Sequence, residues 1–251
     1  MHNPADGGRP ERAEGGSRWL DAKDDNGDRA QDVHAPSIGS DTVSARIERV
    51  VTSGTFCLDG GSWEVDNNVW LIGDDDEVVV IDPAHDAAAV LNAIGDRAVA
   101  AVLCTHGHND HINAVGDVAA KTAAPVLIHP DDDAFWSTVY PDRQPDGWLA
   151  DGQEITVAGT TLRVLCTPGH TWGSVSLYAP DLAAVFGGDT LFQGGPGATG
   201  RSGSDFPTII ESIRDRLLTL PADTTVHTGH GPTTTIGAEA PHIDDWICRG
   251  Q

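Results

Sequence analysis

The chain has 251 residues, 39% of them hydrophobic, with 29 glycines and 15 prolines, as in a globular protein of many short elements. Its net charge of −23 repels phosphate backbones, which weighs against a nucleic-acid partner. No run of about 18 apolar residues is present, so no membrane span is expected.

The opening MHNPADGGRPERAEGG lacks the basic-then-apolar order of a secretory signal. Cys57, Cys104, Cys166 and Cys248 are far apart, with no CxxC pair. Both observations fit a reducing cytoplasm. Residues 1–44 are polar, rich in Gly, Asp and Arg, and without a sustained period, which predicts a disordered tail.

Structure is expected from residue 45 to 251. ARIERVVT and WEVDNNVWLIG read as strands, and EVVVID as a short apolar strand ended by Pro83. HDAAAVLNAIG has helical composition and Gly95 at its end. AVAAVLCT reads as a buried strand, HINAVGDVAAKT as a helix and PVLIHP as another strand. The segment FWSTVYPDRQPDGWL, with aromatics around two prolines, reads as a loop. QEITVAG, TLRVLCTPGH, SVSLYAP and AAVFGGDT read as four strands. FPTIIESIRDRLLTL follows as an amphipathic helix with Ile209, Ile213, Leu217 and Leu220 near one face. TTVHTGHG is a last short strand and loop, and IDDWICR a closing helix. The alternation in both halves predicts an α/β fold of two stacked β/α layers, a four-layer α/β/β/α sandwich.

The densest chemistry lies in THGHNDH, residues 105–111. His106, His108, Asp110 and His111 cannot all converge on one tetrahedral ion from a helix. On a tight loop after a strand they can divide between two metals. Imidazole and carboxylate donors suit zinc, and also iron or manganese. Three later positions have the same setting, each after an apolar strand among glycines or a proline: His170 in TPGHTWGS, Asp189 in GGDTLF and His230 in GHGP. Four such loops at strand ends point to one shared cleft.

In this order THGHNDH, TPGHTWGS, GGDTLF and GHGP resemble the motif series of the metallo-β-lactamase superfamily. The upstream NVWLIGDDDEVVVIDP is similar to its opening strands, with Asn68 and Asp82 in matching places. The resemblance implies a site for two divalent metals, zinc before iron or manganese. His106, His108 and His170 would hold one metal, and Asp110, His111 and His230 the other. Asp189 would bridge them, and a hydroxide between the ions would be the nucleophile. Asp110 is then a ligand that orients this water rather than a general base. Asp82 either supports a ligand from outside or caps its strand.

GATGRSGSDFP is similar to the GRSDF-type segment of short, single-domain glyoxalase II-like hydrolases, with Ser202 and Gly203 as two extra residues. This implies a thioester of a low-molecular-weight thiol as the substrate, as in hydroxyacylglutathione hydrolase. A thiolate, with pKa near 8.5, leaves without obligatory protonation. Arg143, Trp148, Trp172 and Arg201 are the substrate-contact candidates. A mononuclear iron persulfide dioxygenase is the alternative, although that branch tends to lack a functional second site. A lactonase or β-lactamase-type hydrolase is a further one. His85, His129 and His227 lie outside the motifs and read as structural.

Overall fold

The computed structural model describes residues 45–250; the tail read at 1–44, and residue 251, lie outside the described residues. The first half contains β1 (Arg46–Leu58), β2 (Gly61–Gly73), β3 (Glu77–Ile81), β4 (Ala98–Leu103), β5 (Val126–Ile128) and β6 (Gly147–Trp148). They form one sheet in that order. Its helices are α1 (Ala87–Ile94), α2 (Asn109–Ile112), α3 (Val115–Thr122) and α4 (Asp133–Val139).

The second half contributes β7 (Glu154–Val157), β8 (Thr160–Cys166), β9 (Val175–Ala179) and β10 (Ala184–Gly188). A small ribbon of β11 (Leu191–Phe192) and β12 (Gly195–Pro196) precedes α5 (Phe206–Ser212). Then come β13 (Thr225–Thr228), β14 (Thr234–Thr235), α6 (Ile236–Glu239) and α7 (Ile243–Arg249). The second sheet has the order β14-β13-β10-β9-β8-β7.

Strand periodicity divides the apolar residues among three cores, because successive side chains point to opposite faces. Val78 and Val80 of β3, with Val102 of β4, pack under the helical residues Val90, Val115 and Trp136. Their neighbours Val79, Ile81 and Leu103 face the second sheet, meeting Leu162, Val164, Leu177 and Phe186. On that sheet's outer side Val185 and Val226 pack against Ile209, Ile213, Leu217 and Trp246. Three cores separate four layers, so the expected α/β/β/α sandwich is the architecture.

Three local readings differ. The helix expected over HINAVGDVAAKT is two helices. The Asn113 carboxamide accepts the backbone N–H of His85, and the Ala114 N–H donates to the Pro83 carbonyl, so the chain turns between α2 and α3. The helix after Asp205 ends its regular turns at Ser212 and continues as one wide π-type turn over Ile213–Leu217. The segment read as an aromatic loop is partly α4, and Trp136 is wholly buried.

His227, which lies outside the motifs, packs against two core rings. Its ring stacks on Phe186 at 4.8 Å and meets Trp70 edge-on at 4.5 Å. Burial lowers its pKa to about 4. The unfolded chain therefore takes up this proton first, near pH 6.5. Stability from the neutral ring is present above that pH and is lost as the pH falls toward about 4. Lowering the pH from 7 to 5 should cost wild type about 2 kcal/mol more than His227→Phe. Urea unfolding of both proteins at the two pH values reads the difference directly.

Candidate metal centre

Four of the candidate ligands follow the carboxyl ends of strands. His106 follows β4, His170 follows β8, Asp189 follows β10 and His230 follows β13. The last three strands run parallel through β9's antiparallel pairing, so their ends share one edge. Ligand sites form at such edges, where loops open beyond the ladder of hydrogen bonds. Asp110 and His111 stand on α2, which begins directly after His108.

The donors gather in two sets. In the first, His106 Nε2 and His170 Nε2 each lie 3.1 Å from His108 Nδ1. In the second, His111 Nε2 is 3.2 Å from His230 Nε2 and 3.6 Å from Asp110 Oδ2, with His230 Nε2 3.3 Å from that oxygen. Asp189 stands between the sets. Its Oδ2 is 3.5 Å from His170 and 3.3 Å from His230, and its Oδ1 is 3.5 Å from His111. A tetrahedral zinc with bonds of about 2.0–2.1 Å would put its ligand atoms roughly 3.3 Å apart, so these spacings fit metal coordination.

The outer nitrogens define the tautomers. His170 Nδ1 donates to the carbonyl of Ala198 at 2.9 Å, and His230 Nδ1 to that of Asp66 at 2.8 Å. His111 Nδ1 donates to Asp82 Oδ2 at 3.0 Å. The Thr105 hydroxyl donates to Asp82 at 2.6 Å, leaving its oxygen to accept from His106 Nδ1 at 3.1 Å. Each of these rings thus turns its Nε2 inward, as metal-binding imidazoles do. His108 is the exception: its Nδ1 faces the cluster, and its Nε2 is buried without a hydrogen-bond partner among the described residues. Asp82 also accepts the Thr105 N–H at 2.7 Å, so one carboxylate bonds both the end of β4 and His111.

The charge balance differs between the sets. Burial, then the neighbouring imidazoles, lowers the pKa of His106 and takes that of His108 to about 3. At His230 burial also opposes charge, but Asp189 and Asp110 outweigh it and raise the pKa to about 10. His111 is raised in the same way. Asp110 is buried, yet His111 and the bonds from His230 and Asn67 hold it at about 2. In the second set the carboxylates of Asp110 and Asp189 favour positive charge on the imidazoles. Asn67, whose amide donates to Asp110 at 3.1 Å, stands next to the recognised Asn68 but gives no signal in sequence.

Aromatic rings flank His108. Phe56 and Phe135 lie 5.1 and 5.2 Å from it, and Trp172 stacks on Phe135 at 5.7 Å. Arg201 lies over Trp63 at 3.9 Å and over Phe56 at 5.3 Å. Its Nη1 is buried without a hydrogen-bond partner among the described residues. The two extra residues beside it have a visible role. Asp59 at the β1–β2 tip accepts both the backbone N–H of Ser202 at 3.0 Å and its hydroxyl at 2.7 Å. Gly203 has φ +83°, and a Cβ there would come within 2.6 Å of Phe135.

Trp172 and Arg201 contact rings that flank His108, and the other two substrate candidates do not. Arg143 is held by the Gly116 carbonyl at 3.4 Å and by Asp146 at 3.6 Å. Its backbone carbonyl accepts from buried Trp136, which ties the segment to the helical layer. Trp148 lies on edge strand β6, 44% exposed. Neither touches a residue of the donor cluster.

The family model described as Metallo-beta-lactamase superfamily matches residues 63–230. The chain belongs to this superfamily. It is thereby a member of a metallo-hydrolase superfamily whose sites are typically dinuclear. The Bacillus subtilis protein named Probable metallo-hydrolase YqgX is 34% identical, over 68% of this chain and 88% of that protein. Hydroxyacylglutathione hydrolase GloC of Haemophilus influenzae is 32% identical, over 68% and 89% respectively. Among solved structures, BLEG-1 B3 metallo-beta-lactamase has a TM-score of 0.66 and 32% identity, covering 76% of this chain and 97% of its own. A di-iron-bound form of TTHA1623 has a TM-score of 0.61 and 33% identity, covering 70% and 93%. ETHE1 of Myxococcus xanthus has a TM-score of 0.61 and 29% identity, covering 77% and 83%. Among the described residues no helix is long and apolar enough to cross a membrane.

Proposed function

We propose that the chain hydrolyses a thioester of a low-molecular-weight thiol, with two divalent metals, zinc first, held by the two donor sets. The observation that carries this reading is the completeness of both sets, with Asp189 reaching each. His106, His108 and His170 would hold one ion and Asp110, His111 and His230 the other. Bound there, the ions supply a Lewis acid for the acyl oxygen and a water whose pKa is lowered to about 7.

The chain's own residues do the rest. Asp82, Ala198 and Asp66 fix ring orientation, and Asn67 holds Asp110. The rings of Phe56, Phe135 and Trp172 exclude bulk water from one side. Water adds at the acyl carbon, the carbon–sulfur bond breaks, and a carboxylate, a thiol and one released proton result. Among the described residues the rings of Phe56, Phe135 and Trp172 themselves carry no proton donor for a leaving nitrogen other than the Trp172 indole N–H, which is not an acid at neutral pH. A thiolate needs none, which favours a thioester over an amide or lactam. The likeness to GloC supports the acyl-thiol class.

The test is a panel of acyl thioesters of glutathione and other small thiols, run beside β-lactams, lactones, persulfide-dependent O₂ uptake and metal analysis. Thioester turnover with about two metals per chain is expected. One iron per chain with persulfide-dependent O₂ uptake and no hydrolysis would instead establish the persulfide dioxygenase reading.

Arg201 is the cation beside this wall, and its unpaired Nη1 suits an anionic group on the thiol carrier. Charged hydrogen bonds contribute about 1.5–3 kcal/mol. Arg201→Met should therefore raise KM for an anionic thioester by roughly 10- to 100-fold, with kcat changed much less. A neutral acyl-thiol of similar size should show little change in either constant.

A further inference from the structure

Asp132 is wholly buried and lies outside every recognised motif. Among the described residues it has no ion-pair partner within reach. Instead its carboxylate joins two loops. Oδ2 accepts the Gly107 N–H at 2.8 Å and the Thr171 hydroxyl at 2.7 Å. Oδ1 accepts the Gly173 N–H at 2.7 Å. Gly107 separates His106 from His108, and Thr171 follows His170 directly.

Both loops press onto this residue. A Cβ at Gly107 would stand 3.1 Å from the Asp132 carbonyl oxygen and 2.7 Å from the Phe135 Cβ. A Cβ at Gly173 would stand 2.7 Å from the Asp132 nitrogen and 2.8 Å from its Cγ. Glycine at both positions lets the two loops close on one carboxylate. A buried charge without a counter-ion is expensive unless hydrogen bonds satisfy it, and here three donors do so.

Resting on the two-metal reading above, we propose that Asp132 is a positioning residue for the first donor set. It locks the loops of His108 and His170 into one frame and so sets that set's affinity for zinc. The same residue leads into α4, which carries Phe135 against His108. The second set has separate supports. Asp82 orients His111, Asn67 holds Asp110, and the Asp66 carbonyl orients His230. Asp132 bonds to none of these residues.

The selectivity is the test. Zinc affinity is measured by chelator competition for Asp132→Asn in two single-site backgrounds. His230→Ala isolates the first set and His170→Ala the second. Supporting partners of metal ligands are worth about 10- to 100-fold in affinity. Asp132→Asn should weaken zinc by that factor in the His230→Ala background and by less than about twofold in the His170→Ala background. Thr171→Val, which removes one of the three bonds, should shift affinity in the same direction by a smaller factor, and it carries the test if Asp132→Asn does not fold. Unchanged affinity in the His230→Ala background overturns the proposal. So do equal losses in both backgrounds with a lowered Tm of the metal-free protein, which mark a general structural role. If wild type takes up no zinc, the two-metal reading itself fails. If wild type takes up two and the variants match it, only the role of Asp132 fails.

Discussion

His108→Ala is expected to abolish hydrolysis, by roughly 10³-fold or more, while leaving the fold intact. His108 Nδ1 is the atom that both other members of the first set approach at 3.1 Å. Without it, His106 and His170 retain two imidazoles and a shared carboxylate, too few fixed donors for tight zinc binding. The second set loses nothing directly, so metal content should fall from about two per chain to about one. Folding should suffer little, because the imidazole contributes no hydrogen bond through Nε2 and is neutral at pH 7, its pKa lowered to about 3 by burial and the neighbouring imidazoles. Metal analysis after dialysis, with circular dichroism of the same sample, separates loss of the ion from loss of the fold. Retention of both metals by a folded, inactive variant would remove His108 from the ligand set.

How much of the site is legible in the sequence depends on distance along the chain. THGHNDH supplies four donors within one strand-to-helix connection, so their chemistry is evident locally. The strands were legible because the two-sheet sandwich buries short apolar runs such as EVVVI on both faces. The aromatic wall was not. Phe56 and Trp63 reach the site because β1 and β2 pair as a long hairpin, from Arg46 opposite Gly73 to Leu58 opposite Gly61. A signal for that hairpin was present. Asp59-Gly60 adopts positive φ at both residues, as a two-residue type I′ connection requires, and Asp-Gly is a favoured pair for it. Arg143 was misplaced for the opposite reason. Its aromatic neighbours suggested a cleft, but Trp136 is an anchor of the helical core. Asp132 could not be singled out, since an aspartate among Asp131, Asp132 and Asp133 reads as solvated charge until two distant loops close on it.

Asp189→Ala should have the broader effect on metal, because this carboxylate touches both sets. Its oxygens lie 3.3–3.5 Å from His170, His111 and His230, and it is held far below the usual carboxylate range by His230 and His111 against the effect of burial. Metal content should drop below one per chain, and thioester hydrolysis by roughly 10³-fold or more. The pH dependence of zinc uptake gives an independent sign. In the metal-free protein, Asp189 and Asp110 keep a proton on His230 up to about pH 10, despite its burial. Zinc must displace that proton, so affinity at the second set should rise with pH throughout the neutral range. Removing Asp189 lowers the pKa of His230, so less proton release accompanies binding and the rise should flatten. Zinc titrations in two buffers of different ionisation enthalpy count the released protons. Equal counts for wild type and Asp189→Ala would show that this carboxylate does not govern the second set.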